Sequence, residues 1–200
     1  IIFGSSDSRH GQRRMYGYSD SDWGGSLDDR RSTSAYVFFL GGAAISWKVK
    51  LSPTVCLSTQ EAEYVGLSEA TKEALNLKML LEQIGFGSED PTTIYSDNQG
   101  AITMGLHPSN KPATRHIDMR RHFLRQHVEL KSIVTPYVRT DAMVADCMTK
   151  QTPRPTHAHH FGMIFGRQDT SLPLKPIVKL VEWPDRGREG ERGRERGRER

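Results

Sequence analysis

The sequence has few cysteines and no long apolar run. Its two cysteines, Cys56 and Cys147, form no metal-ligand spacing and no disulfide framework, so a reducing compartment is the better expectation. No apolar stretch approaches the roughly 18 residues that a membrane span requires. The N-terminus has neither a methionine nor a signal-peptide pattern. The sequence therefore predicts no membrane partner and a chain that is part of a longer one.

Basic charge is concentrated at the C-terminal end. Residues 186–200 hold seven Arg and four Glu, a net charge of +3 out of the total of +4. The remaining 185 residues carry 21 basic and 20 acidic side chains. A nearly neutral body does not by itself predict a nucleic-acid partner.

The pattern of apolar residues and turns predicts an α/β fold. Runs rich in aromatic and β-branched residues indicate five strands, at 18–23, 34–40, 43–49, 92–96 and 132–138. Helical spacing and capping signals indicate helices, at 58–84, 98–106, 115–130 and 140–150. This order predicts a mixed sheet with helices on its faces.

Four segments of the chain are expected to differ in organisation. Residues 1–15 are polar and irregular and are expected to form a linker, and 16–153 form the domain. Residues 154–185 are a poorly defined extension, with a possible last helix ending near Phe165. The Arg, Gly and Glu repeat over 186–200 is expected to be disordered.

Four acidic residues stand in separate, distinctive contexts. They are Asp20 in GYSDSDW, Glu63 in STQEAEY, Asp97 in IYSDNQ and Asp146 in ADCMTK. Ser58 and Glu61 form a capping box that fixes the start of the long helix, and Glu63 then lies in register with its apolar stripe. If the four carboxylates converge, they form a cage for two magnesium ions, which is suited to cutting phosphodiesters.

These motifs resemble the ribonuclease H domain of copia-type retrotransposon Pol polyproteins. The similar stretches cover residues 16–153 and keep the family's order, and they include GYSDSDWGG, LSTQEAEYVGL, TTIYSDNQGAI and ADCMTK. The resemblance implies a ribonuclease H-like fold with a five-stranded mixed sheet and helices on both faces. It also implies cleavage of the RNA strand of RNA–DNA hybrids with two Mg²⁺ ions, for which Mn²⁺ is a possible substitute. Asp20, Glu63, Asp97 and Asp146 are then both catalytic residues and metal ligands. The implied partners are an RNA–DNA hybrid and the reverse transcriptase domain of the same polyprotein, in a cytoplasmic particle or the nucleus.

Each of these four positions has an alternative interpretation, which for Glu63 is a solvated residue on the helix surface. Asp22 lies two residues from Asp20 and faces the same way on a strand, although the family pattern favours Asp20. Asp97 is alternatively an N-cap for the following helix. Asp141 competes with Asp146, although its place after Thr140 suits a first-turn residue that complements the helix dipole.

Substrate contacts are harder to predict. Ser96, Asn98 and Gln99 stand beside the expected metal site as candidate donors to a hybrid, which proteins tell from DNA by its shape and 2′-hydroxyls. Arg115 and Arg120 give one helix a basic character suited to phosphate contacts, or to a solvated helical face.

The chain departs from the family pattern at two places. Lys50-Leu51-Ser52 replaces a Lys-Gln pair, and Cys147 replaces an apolar residue after the last aspartate. Two other functions are therefore kept open. One is a catalytically inert retroelement remnant that at most binds nucleic acid or a reverse transcriptase, and the other is DNA cleavage.

Overall fold

The computed structural model describes residues 14–106 and 115–166. Strands β1 to β5 are Tyr16–Asp22, Thr33–Leu40, Ala43–Leu51, Thr92–Tyr95 and Ile133–Val134. Helices α1 to α5 are Thr59–Gln83, Gln99–Leu106, Arg115–Glu129, Asp146–Thr149 and Arg154–Ile164. The strands form one sheet in the order β3-β2-β1-β4-β5. β1 pairs antiparallel with β2 and parallel with β4, so the predicted five-stranded mixed sheet is confirmed.

The termini fall largely outside the described part of the chain. The predicted linker is described only at its last two residues, and the described chain stops at 166, before the Arg-rich tail. The predicted last helix is present as α5, which packs Met163 and Ile164 against the core. The domain limits at 16 and 153 stay a prediction. Within the described residues, no helix is both long and apolar enough to cross a membrane.

Helix α1 begins where its capping signals predict. The hydroxyl of Ser58 accepts a hydrogen bond from the backbone N–H of Glu61 at 3.1 Å. The carboxylate of Glu61 accepts one from the backbone N–H of Leu57 at 2.9 Å. Both donors would otherwise lack partners, so these bonds fix the first turn. That turn carries Glu63 to the end of β1.

Alternate residues of β1 face two different helical layers. A Cβ at Gly66 of α1 would overlap the hydroxyl of Ser21, so glycine permits the close approach of α1 to the sheet. On the opposite face, Tyr16 and Tyr18 pack in a cluster that includes Met148 and Met163, from α4 and its neighbour α5. Helices therefore cover both faces, as predicted. Asp20 shares the face of Tyr18, because side chains two residues apart on a strand point the same way.

Strand β5 is shorter than predicted because of a proline. The predicted strand over 132–138 includes Pro136, which has no N–H to donate to a sheet. The regular strand ends at Val134, and pairing resumes only as an isolated bridge between Ser96 and Tyr137. The backbone N–H of Val138 donates to Ser96 O at 2.9 Å.

The last predicted helix, over 140–150, is interrupted. A short 3-10 helix spans Thr140–Ala142, and α4 starts only at Asp146. The intervening Met143, Val144 and Ala145 are all fully buried. Three consecutive buried side chains are incompatible with a helix that exposes one face, so the chain turns inward here. The prediction of one continuous helix is wrong, although its two ends are helical.

Candidate metal centre

Asp20 lies at the centre of the sheet on β1. It pairs with Ala35 of β2 across the antiparallel ladder, and its side chain is fully buried. A carboxylate in such a position loses its hydration and needs hydrogen bonds or a cation in return. The hydroxyl of Thr149 in α4 donates to Asp20 Oδ2.

Three of the four predicted carboxylates converge at one end of β1. Asp20, Glu63 and Asp97 each present an oxygen, and the three oxygens lie within 4.8 Å of one another. Asp20 Oδ1 and Glu63 Oε2 are buried and have no hydrogen-bond partner. Unpartnered buried oxygens on converging carboxylates are the donor set that a hard divalent cation requires. The residues therefore fit a magnesium-type ion, and their role as its ligands stays a prediction.

Asp146 reaches the same place from the other helical layer. It begins α4 and is only 3% exposed. It is not one of the three residues whose oxygens lie within 4.8 Å of each other. Lys150 connects it to them, because its Nζ lies 3.0 Å from Asp146 Oδ1 and 3.8 Å from Asp20 Oδ1. The structure thus places the fourth carboxylate beside the group, with the ammonium of Lys150 paired to both Asp146 and Asp20.

The side chain of Asp97 forms its hydrogen bond with a distant segment of the chain, and not with α2, the helix that follows it. Asn98 is the residue that caps α2, since its side-chain oxygen accepts from the backbone N–H of Ala101 at 2.9 Å. Asp97 Oδ2 instead accepts a hydrogen bond from the hydroxyl of Thr140 at 2.8 Å. A capping role at α2 is therefore not needed to explain the aspartate at position 97. Thr140 is the first residue of the 3-10 helix, which has no side-chain cap hydrogen bond at its start.

The two competing aspartates have other surroundings. Asp22 ends β1, and a Cβ at Gly25 would overlap its carboxylate. Asp141 forms an ion pair with Arg139 at 2.9 Å. Neither belongs to the group of oxygens around Asp20.

The shared location changes the acidity of these groups. Burial raises the pKa of Glu63 to about 9, and the charges of Asp20 and Asp97 add to the effect. Burial likewise raises the pKa of Asp146 to about 7, with the charge of Asp20 as the next cause. Burial also raises the pKa of Asp97, against the opposing hydrogen bond from Thr140. Without a divalent cation, the group therefore tends to retain protons.

An open cleft of about 620 Å³ lies over the acidic group. Glu63, Asp97 and Lys150 line it together with Asn98 and Gln99. The cleft gives an extended ligand access to the carboxylates. Asn98 and Gln99, which are predicted to donate hydrogen bonds to the substrate, thus line the cleft where a substrate is expected to lie.

The remaining predicted substrate contacts lie elsewhere or are engaged. Ser96 is buried, and its hydroxyl accepts from the backbone N–H of Asn98 at 3.3 Å. Arg120 donates to the Ser68 hydroxyl at 2.8 Å and pairs with Glu69 at 2.7 Å. The side chain of Arg115 lies outside the described part of the chain.

Sequence reasoning missed three residues that contact the carboxylates, namely Thr140, Thr149 and Lys150. Lys150 carried one signal, because it stands four residues after Asp146, the spacing of an ion pair on one helical turn. The two threonines gave none. Their partners are distant in sequence, so only the fold brings them together.

Comparisons with known proteins agree in sequence and in fold. No protein-family model matches the chain. It is 37% identical over 154 residues to the retrovirus-related Pol polyprotein from transposon TNT 1-94 of Nicotiana tabacum, covering 77% of this chain and 11% of that protein. It is 34% identical over 140 residues to the corresponding polyprotein of transposon RE2 of Arabidopsis thaliana, covering 70% and 10%. The chain thus spans about a tenth of the length of these curated relatives.

A solved structure supports the fold. The N-terminal ribonuclease H domain of Rv2228c from Mycobacterium tuberculosis superimposes with a TM-score of 0.50. The match covers 74% of this chain and 96% of that one at 9% identity. At that identity the likeness concerns the fold alone, which agrees with the five-stranded sheet described above.

Proposed function

We propose that this chain, a homologue of part of the retrovirus-related Pol polyproteins of copia-type transposons with a ribonuclease H fold, hydrolyses the RNA strand of RNA–DNA hybrids. The observation that carries the proposal is the convergence of Asp20, Glu63 and Asp97 beneath an open cleft. These three residues come from β1, α1 and the end of β4, and only the folded sheet brings them together.

In this proposal the carboxylates hold two divalent ions. Asp20, Glu63 and Asp97 would hold one, and Asp20 with Asp146 would hold the other. Two such ions supply a nucleophilic water and neutralise the charge that develops on the leaving oxygen. The buried oxygens Asp20 Oδ1 and Glu63 Oε2 support the first position, because neither accepts a hydrogen bond.

The protein's own groups position the ligands and the substrate. Thr140 fixes one oxygen of Asp97 by its hydrogen bond and leaves the other available. Gln99 lines the cleft and offers an amide to a hybrid lying there. Such a donor reads ribose hydroxyls, which RNA carries and DNA lacks. The reverse transcriptase domain of the polyprotein would be the natural partner that delivers the hybrid.

The test is a cleavage assay with the full chain and Mg²⁺, using an RNA–DNA hybrid labelled on either strand. We expect cuts in the RNA strand only, and none in a DNA duplex. Asp20→Asn should abolish cleavage, whereas Asp28→Asn should not, because Asp28 is an exposed aspartate outside the acidic group.

Three results would contradict the proposal. Binding of the hybrid without cleavage would favour an inert remnant, and cuts in the DNA duplex would favour a DNA nuclease. Cleavage that persists in Asp20→Asn would show that another group carries the reaction.

A further inference from the structure

Lys150 lies among the acidic residues, and the proposed hydrolysis gives it no role. Its ammonium lies 3.0 Å from Asp146 Oδ1 and 3.8 Å from Asp20 Oδ1. It therefore pairs with both of the carboxylates that would hold the second divalent ion. A positive charge is therefore already present beside these two carboxylates.

Lys150 is the most exposed of the three charged side chains. Its side chain is 35% exposed, against 1% for Asp20 and 4% for Asp146. It also lines the cleft itself. A flexible lysine stem at the mouth of a buried site can leave without disturbing the fold.

The lysine is held there by the local backbone. Lys150 follows directly after α4, and its backbone N–H donates to Asp146 O at 3.1 Å. This places the two side chains one helical turn apart, where opposite charges meet. The pairing is therefore built into the segment that carries Asp146.

We propose that Lys150 is an internal counter-cation that occupies the position between Asp20 and Asp146 until a second divalent ion replaces it. This inference rests on the proposed function. It divides the acidic group into two unequal positions: Lys150 pairs with Asp146 and Asp20 at one, whereas at the other Glu63 and Asp97 form no ion pair within the described residues. The free protein should then bind one ion tightly and a second only weakly.

The test counts ions directly, without an activity measurement. The full chain is titrated with Mn²⁺, and free Mn²⁺ is followed by electron paramagnetic resonance. We expect one tightly bound ion in the unchanged protein and two in Lys150→Met. The second dissociation constant should fall about tenfold or more, because a neighbouring positive charge is removed.

Matched variants distinguish the effect of removing the positive charge of Lys150 from an effect on folding. Lys150→Arg keeps the cation and should bind one ion, and Lys48→Met, an exposed lysine on β3, should behave like the unchanged protein. Adding Asp146→Asn to Lys150→Met should remove the second ion again. If Lys150→Met is unfolded in metal-free buffer, Mn²⁺ should refold it with two ions bound.

The possible failures are distinguishable. Two ions of similar affinity in the unchanged protein, or no gain in Lys150→Met, would overturn the role of Lys150 and leave the proposed hydrolysis intact. Failure of Mn²⁺ to refold an unfolded variant would do the same. Absence of any bound Mn²⁺ in both proteins would overturn the metal-dependent function together with this inference.

Discussion

In the absence of divalent ions, the free energy of unfolding of the protein should decrease as the pH rises. In the metal-free protein, burial and then the charge of Asp20 raise the pKa of Asp146 from 3.8 to about 7. Between those pH values the folded state retains a proton that the unfolded state releases. The free energy of unfolding is therefore highest near pH 4 and falls as the pH approaches 7.

The size of this effect follows from the two pKa values. Each pH unit between them is worth about 1.4 kcal/mol per group, so a change from pH 5 to pH 7 should cost about 2 kcal/mol through Asp146, which is about half titrated in the folded state at pH 7. Burial, with the charges of Asp20 and Asp97, raises the pKa of Glu63 from 4.5 to about 9, so Glu63 should add a similar loss between pH 5 and pH 7, and the decline should continue above pH 7. The charge of Lys150 opposes both shifts without reversing them.

Urea denaturation of the full chain in EDTA at pH 5, 6, 7 and 8 measures the slope. Asp146→Asn should make it less steep between pH 5 and 7 without abolishing it, because the raised pKa of Glu63 still acts in that interval, whereas the exposed Asp28→Asn should leave it unchanged. Saturating Mg²⁺ should reduce or reverse the slope, because the ion binds only the ionised carboxylates. A stability that is constant or rises with pH in EDTA would refute the reasoning.

Three further substitutions test individual contacts. Thr140→Val removes the 2.8 Å hydrogen bond to Asp97 and should weaken Mn²⁺ binding by about fivefold, or about 1 kcal/mol, as isothermal titration calorimetry would show; unchanged affinity would refute the positioning role of that bond. Gly66→Ala should lower the free energy of unfolding by about 1–3 kcal/mol through overpacking, and by less when Ser21→Ala removes the hydroxyl that its Cβ meets; equal losses in both backgrounds would contradict this. Arg120→Met should cost about 1 kcal/mol of stability through its contacts with α1, and a loss of hybrid affinity at unchanged stability would show instead that it binds substrate.

Local sequence patterns could predict those metal-centre residues whose placement depends on a single helix or strand. The capping box that starts α1 fixes the phase of Glu63, and strand alternation leaves only Asp20 and Asp22 as candidates on one face of β1. Only the packed structure decides between those two. The family resemblance favoured Asp20, and the convergence of oxygens agrees with that choice.

The parts that sequence reasoning missed depend on contacts between distant segments. Thr140 meets Asp97 across 43 positions of the chain, and no local pattern records such a pair. The break in the last predicted helix likewise follows from tertiary burial of Met143 to Ala145, which overrides their helical propensity. By contrast, the early end of β5 was predictable, since Pro136 stood in the sequence.

The central claim is that Asp20, Glu63 and Asp97 together hold a divalent ion. Diffraction from crystals of the full chain soaked in Mn²⁺, measured at the manganese edge, locates that ion by its anomalous signal. The account predicts a peak within coordination distance of oxygens from all three residues, lost in Asp20→Asn. A well-ordered site with no peak there at saturating Mn²⁺, or a peak that persists without Asp20, would contradict it.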